Sequence, residues 1–188
     1  MTRRFRFAVL AALLAASGAA HAVEYGTVLP EKSEIRFVSK QMNVPVEGRF
    51  RKFDAQLSFD PAKPEAGSTR ITIDLAAIDA GSDDANAEAR TKGWFDIRNF
   101  PSATFVSTGV KPLGPNRYEV AGKLTIKGRS RDLTAPVSFR KDGANAVLEG
   151  SFVLKRLQFA IGEGPWSDVE TVADDVQVRF RVTAAPVK

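Results

Sequence analysis

The 188-residue chain carries 27 basic and 22 acidic side chains, one histidine and no cysteine, which rules out disulfides, Cys/His zinc sites and cysteine nucleophiles. Three of the bases fall within the first six residues, so the remainder is close to neutral, 24 bases against 22 acids, and gives a nucleic-acid partner little support. The length suits a single domain.

Residues 1–22 read as a secretory signal. Arg3, Arg4 and Arg6 precede an apolar run over 7–16, and Ala20-His21-Ala22 is a small-x-small cleavage site. The run is shorter than the ~20 residues of a spanning helix. The expectation is cleavage after Ala22, a mature domain over 23–188, and a soluble periplasmic protein. His21 leaves with the signal, which also removes Ser-His pairs and histidine-ligated haem.

Residues 23–30 read as an irregular lead-in. Ile35, Phe37 and Ser39 then alternate with Glu34, Arg36 and Val38, the period of a half-buried strand. Val44, Val46, Gly48 and Phe50 fall on even positions, whereas Phe53, Ala55, Leu57 and Phe59 fall on odd ones. That flip at Arg51-Lys52 calls for a bend in one long strand. A proline-containing turn over 60–67 leads to a third strand with Ile71, Ile73 and Leu75 inward. Helix formers over 84–90 predict a short helix, within an insertion near residues 83–98. The stretch Gly93 to Phe105 holds Trp94, Phe95, Phe100 and Phe105 without period-two spacing, and Pro101 bars a helix from it, so we read it as an aromatic plug.

Alternation resumes at Ala103, Phe105 and Ser107. Gly114-Pro115-Asn116 turns the chain into Tyr118, Val120, Gly122, Leu124 and Ile126, and Lys127-Gly128-Arg129-Ser130 predicts a tight hairpin into Leu133, Ala135, Val137 and Phe139. After a turn at 142–145, Ala146, Leu148, Gly150, Phe152 and Leu154 alternate with polar residues. Phe159 and Ile161 break that phase, which places a second bend near Lys155-Arg156. Gly162 to Trp166 is a loop, and Val176, Val178, Phe180 and Val182 form the inner face of a last strand. The pattern predicts an all-β fold of about eight antiparallel strands in an up-and-down barrel, with a sandwich as the alternative.

Ser33-x-Ile35-x-Phe37, Gly48-Arg49-Phe50 with Phe53, Trp94-Phe95-Asp96 followed by Phe100-Pro101 and Phe105, the run Gly122 to Gly128, and Arg156 with Phe159-Ala160-Ile161-Gly162 resemble the YceI-like family of exported polyisoprenoid-binding proteins. The resemblance implies a lipocalin-like barrel whose apolar interior holds a long isoprenoid tail, with no catalytic residues. The chain departs from the family pattern at Ala55, Ala80 and Ala160 and in its acidic, alanine-rich stretch 82–90.

The candidate ligand-binding residues are the inward Phe37, Phe50, Phe53, Phe105, Leu124, Phe152, Phe159 and Ile161. Trp94, Phe95 and Phe100 are a candidate cap, and Trp166 a candidate portal residue. Arg156, on the inward parity of Phe152 and Leu154, is the candidate cation for an anionic headgroup. The same apolar residues would equally make a dry core, and the plug a hydrophobic staple. Asp83-Asp84 and Asp174-Asp175 are adjacent pairs whose side chains diverge, so neither makes a glycosidase dyad. No metal or cofactor is expected. The reading is a non-enzymatic carrier of a quinone or prenyl phosphate, with transient membrane contact and homodimerisation left open. The alternative is an accessory protein of a membrane redox or envelope-stress system with a filled core.

Overall fold

A computed structural model describes residues 23–187. The signal segment read at 1–22 lies outside them. The strands are β1 (Tyr25–Val28), β2 (Glu34–Gln41), β3 (Val44–Phe50), β4 (Phe53–Ser58), β5 (Ser68–Asp74), β6 (Ile78–Asp79), β7 (Ser102–Gly114), β8 (Arg117–Ile126), β9 (Arg129–Asp142), β10 (Asn145–Lys155) and β11 (Asp175–Pro186). All belong to one antiparallel sheet in the order β4-β5-β7-β8-β9-β10-β11-β2-β3-β6, with β1 added alongside β11.

The path returns on itself covalently where β3, next to the terminal β6, runs into β4. β3 pairs with β2 and β4 pairs with β5, yet only Arg51 and Lys52 separate β3 from β4. The bent strand therefore passes from one edge of the curled sheet to the other and closes it, as the parity flip at these two residues requires. Arg51 N donates to Ala77 O at 3.0 Å and Asp74 N donates to Lys52 O at 3.1 Å, which stitches the bend to the chain after β5. With β3 and β4 taken as one strand, the long strands number eight, and the excess over the sequence expectation is β1 and β6. The fold is all-β and lipocalin-like.

β1 corrects the reading of 23–30 as irregular. Tyr25 is 2% exposed and exchanges backbone hydrogen bonds of 2.8 and 3.0 Å with Phe59, which fastens β1 to the end of β4. Four residues interrupted by Gly26 are too few to display an alternation. The helical insertion is also shorter than expected. Helix α1 runs Asp83–Ala89 with Ser82 as its cap, the Oγ accepting from Ala85 N at 3.2 Å, and Asp83 and Asp84 complement the dipole in its first turn. Residues 90–98 are hydrogen-bonded turns, in which Asp96 sits at φ 50°.

Lys127 and Gly128, at φ 49° and 71°, make the predicted tight hairpin, both central residues being left-handed as a type I′ turn demands. Lys155 ends β10, and a 3-10 turn over Arg156–Phe159 closed by Ala160 at φ 56° forms the second bend. Two buried clusters fill the ends of the barrel. One gathers Tyr25, Phe59, Tyr118 and Phe139 with ring centroids 5.3–6.0 Å apart. The other, at the plug end, gathers Leu75, Ala103, Ile126, Leu154, Phe159 and Ile161.

Candidate ligand cavity

Between the two clusters the barrel holds a cavity of about 140 Å³. Its walls are Ile35, Leu57, Phe59, Ile71, Ile73, Phe105, Val110, Tyr118, Val120, Leu124, Leu133, Ala135, Val137, Leu148, Phe152, Val178, Phe180 and Val182, with no charged side chain among them. Burial pushes the Tyr118 hydroxyl above the usual tyrosine range, so it too stays neutral. Hydroxyl groups otherwise occur only at Ser58, Ser68 and Thr69, and Ser68 is exposed. The cavity thus meets the surface beside the β4–β5 turn. β5 runs from Ser68 to Asp74, and Asp74 pairs with Ser102 next to the plug, so the polar edge lies at the end of β5 away from the plug.

Glycine shapes these walls. A Cβ at Gly122 or Gly150 would overlap the rings of Phe105 and Phe180. Gly150 pairs directly with Phe180 across the strands. Both rings lie flat along the sheet in the space that a side chain would fill, and both face the cavity.

The plug end is closed by packing and by buried donors. Trp94, Phe95 and Ile97 pack against the second cluster. Trp94 lies 5.7 Å from Trp166 between ring centroids, and the Arg156 guanidinium stands 5.9 Å over its ring. The Trp94 indole N–H is buried without an acceptor. Trp166 Nε1 donates to Glu88 Oε1 of α1 at 2.9 Å, and the Gly93 carbonyl accepts from Gly162 N and Glu163 N at 2.9 and 2.8 Å. The loop over 162–167 is thereby tied down over the plug.

Arg156 is 1% exposed and serves five backbone carbonyls. Its Nε donates to Ala173 O at 3.1 Å, Nη1 to Ile161 O and Gly162 O at 2.8 and 3.0 Å, and Nη2 to Trp166 O and Val172 O at 2.7 and 2.6 Å. Lys127, 8% exposed at its side chain, donates to Lys92 O at 2.8 Å, Ala160 O at 2.7 Å and Glu163 Oε2 at 2.8 Å. Its hydrogen bond holds the Glu163 carboxyl below the usual carboxylate range. These two cations replace the secondary structure that residues 156–174 largely lack.

The structure divides the sequence-predicted site. Phe105, Leu124 and Phe152 face the cavity and at the same time join the plug-end cluster, so they form the boundary between the two. Phe50, Trp94, Phe95, Phe159 and Ile161 belong to the packed cluster at the plug end, and Trp166 covers it from outside. Phe37 stacks on Phe50 at 5.5 Å and lies over Gly48. Phe53 borders a separate surface depression at the strand bend. Phe100 packs on Gly128 of the β8–β9 hairpin. Arg156, the candidate headgroup cation, does not line the cavity, and its donors meet the protein's own carbonyls. Inward parity at Ile35, Leu57, Ile71, Val120 and Phe180 was legible, whereas Val110 reaches the cavity only because the β7–β8 register shifts between Ser107 and Gly109, and parity alone does not separate cavity walls from packed core. Inward glycines mark where a ring lies flat on the sheet, as at Gly122 and Gly150, but Gly48 beneath Phe37 does the same away from the cavity.

The YceI-like domain profile matches residues 27–184. The chain belongs to the YceI-like family. Among its relatives, a UPF0312 protein of Azotobacter vinelandii is 29% identical over 162 residues, covering 81% of this chain and 83% of that protein. One from Vibrio cholerae is 28% identical over 181 residues, covering 89% and 95%. Among solved structures, Burkholderia cenocepacia BcnA superposes with a TM-score of 0.82 at 47% identity, over 84% of this chain and 99% of that one. A polyisoprenoid binding domain from Saccharophagus degradans has a TM-score of 0.66 at 16% identity, over 89% and 100%, a likeness of fold alone.

Proposed function

We propose that the protein is an exported, non-catalytic carrier that holds part of a polyisoprenoid chain, of the quinone or prenyl phosphate type, in the barrel cavity, and that it works in the periplasm. The observation that carries this reading is a cavity about 140 Å³ in volume with no charged group in its walls. Such a lining stays dry and favours hydrocarbon over water. The signal-like segment at 1–22 supports export. The Saccharophagus degradans protein of the same fold is described as a polyisoprenoid binding domain, which supports the ligand class.

Size limits the mode of binding. A dry cavity of about 150 Å³ takes one benzene-sized guest, so this one takes roughly one isoprene unit as it stands. A longer tail has to displace Phe105, Phe152 or Phe180, or run out past Ser68. With no cation in the walls, an anionic head stays outside the cavity. Each CH₂ leaving water contributes ~0.8 kcal/mol, but a tail arriving from a bilayer gains little of that. The protein therefore shields and exchanges lipid rather than capturing it tightly.

The small volume also suits the second reading, an accessory interaction protein with a nearly filled core. Mass spectrometry of organic extracts from the purified mature protein separates the two. The carrier reading expects a prenyl lipid in the extract, or uptake of one from detergent. A lipid-free protein that takes up no prenyl ligand and co-purifies with another protein contradicts it.

A further inference from the structure

On the outer face of β10, β11, β2 and β3 the register sets side chains in rows, and two adjacent rows treat charge differently. In one, Glu149 stands opposite Arg181 and Arg181 opposite Glu34, so the sign alternates. Arg181 Nε donates to Glu149 Oε1 at 2.5 Å, and its Nη1 lies 3.5 Å from Glu34 Oε1. In the next row Arg179 stands opposite Arg36, and Arg36 opposite Arg49. Directly opposed side chains have Cβ atoms about 4.5–5.5 Å apart, and like charges there oppose sheet formation.

The neighbouring acids offset this row only in part, three arginines standing against Glu47 and an Asp79 that Arg51 also engages. Arg36 reaches Glu34 at 2.8 Å and Arg49 reaches Asp79 at 3.1 Å, each through Nε, and both acids are shared with a second arginine, Arg181 and Arg51. Arg179, which is exposed, has no carboxylate within 4.0 Å among the described residues. The row is also recessed. Arg36, Arg49 and Arg179 share the wall of a surface depression of about 320 Å³ with Phe37, Val38, Gly48 and Gly81, and the carboxylates of Glu47 and Asp79 line it as well. Arg36 and Arg179 border a second depression on the other side, which Glu34, Glu149, Arg117 and Arg181 also line.

We propose that this row binds a phosphate-type oxyanion, seated among the guanidinium groups of Arg36, Arg49 and Arg179. Guanidinium forks present paired N–H donors that match phosphate oxygens, and a multiply charged anion offsets the repulsion among three aligned cations. The row is on the opposite face of the sheet from the cavity: Ile35 points inward to its wall, whereas Arg36 points outward. The site therefore does not hold the head of a lipid in the barrel, and it stands or falls separately from the carrier reading.

The test is the thermal midpoint of the mature protein in inorganic diphosphate against sodium chloride of equal ionic strength. The site predicts a saturable rise specific to diphosphate. Arg179→Gln is expected to weaken that response at least tenfold while raising the midpoint without anion, since it relieves the like-charge contact. A structural arginine would lower the midpoint instead. Lys141→Gln, the same charge change on another hairpin, is expected to keep the response. Sedimentation with phosphatidylcholine vesicles, with and without phosphatidylglycerol, distinguishes the source. Arg179-dependent binding to the anionic vesicles assigns the oxyanion to lipid headgroups, and diphosphate stabilisation without vesicle binding assigns it to a free phosphate. The same diphosphate response in the wild type and Arg179→Gln overturns the site, as does a failure of the wild type to respond to either probe.

Discussion

The plug end and the cavity half of the barrel are built from the same kinds of apolar side chain, yet they are organised in opposite ways. At the plug end, Trp94, Phe95, Phe159 and Ile161 pack into a closed cluster while Arg156 and Lys127 saturate the carbonyls of irregular chain around them. In the cavity half, regular strands satisfy their own backbone, no buried cation intrudes, and space remains between the rings. Irregular backbone has to be filled and stapled, whereas a sheet can curl around a void because its hydrogen bonds do not depend on what it encloses. The plug end is therefore where stability is concentrated, and the cavity half is where a guest is accommodated.

Arg156→Met breaks this contrast most severely. It leaves five backbone carbonyls without their donor, at about 3–5 kcal/mol, and is expected to lower the thermal midpoint by roughly 10 °C or to prevent folding. Chemical denaturation reads the loss, and a near-wild-type midpoint would refute the staple. Trp94→Ala comes next, at about 3 kcal/mol or somewhat more, because the indole packs in the cluster and does not face the cavity. The fraction that stays folded is expected to bind prenyl ligand as the wild type does. Ligand loss at unchanged stability would make Trp94 a cap after all.

Ala135→Phe sharpens the contrast from the other side. It fills the cavity and is expected to cut prenyl uptake at least tenfold, with a stability change of about 1 kcal/mol in either direction, measured by ligand titration and denaturation on the same sample.

The smallest effect is the pH dependence. Lys127 holds the Glu163 carboxyl below its ordinary value, as Lys52 does for Asp74 and Arg51 for Asp79. Groups lowered in the folded state contribute stability that is fully present above the ordinary carboxylate value near ~4 and is lost as pH falls through the folded value. The midpoint is therefore expected to be flat from about pH 6 to 8 and to fall below about pH 4. Lys127→Met should reduce the acid-sensitive part. A midpoint that rises on acidification would contradict the sign.

Much of the fold was legible because alternation records one buried face. The parity flip at Arg51-Lys52 and the phase break after Leu154 located the two bends, including the one that closes the sheet. β1 and β6 were not legible, since strands this short carry too few residues to show a period. The site was legible only in part. Phe105, Leu124 and Phe152 face the cavity, but large aromatic rings signal burial and do not say whether a neighbour fills the remaining space. Arg156 shows the same limit for charge: its inward parity was correct, yet its partners are carbonyls over 161–173 that no local pattern brings to it.

The most direct test of the division between a sealed plug and an accommodating cavity is a crystal structure of the mature protein grown with a short prenyl alcohol such as farnesol. The chain is expected between Phe105, Val120 and Phe152, leaving past Ser68, with Trp94 and the Arg156 hydrogen bonds unmoved. A chain entering beside Trp94 and Trp166, with the plug displaced, would contradict it.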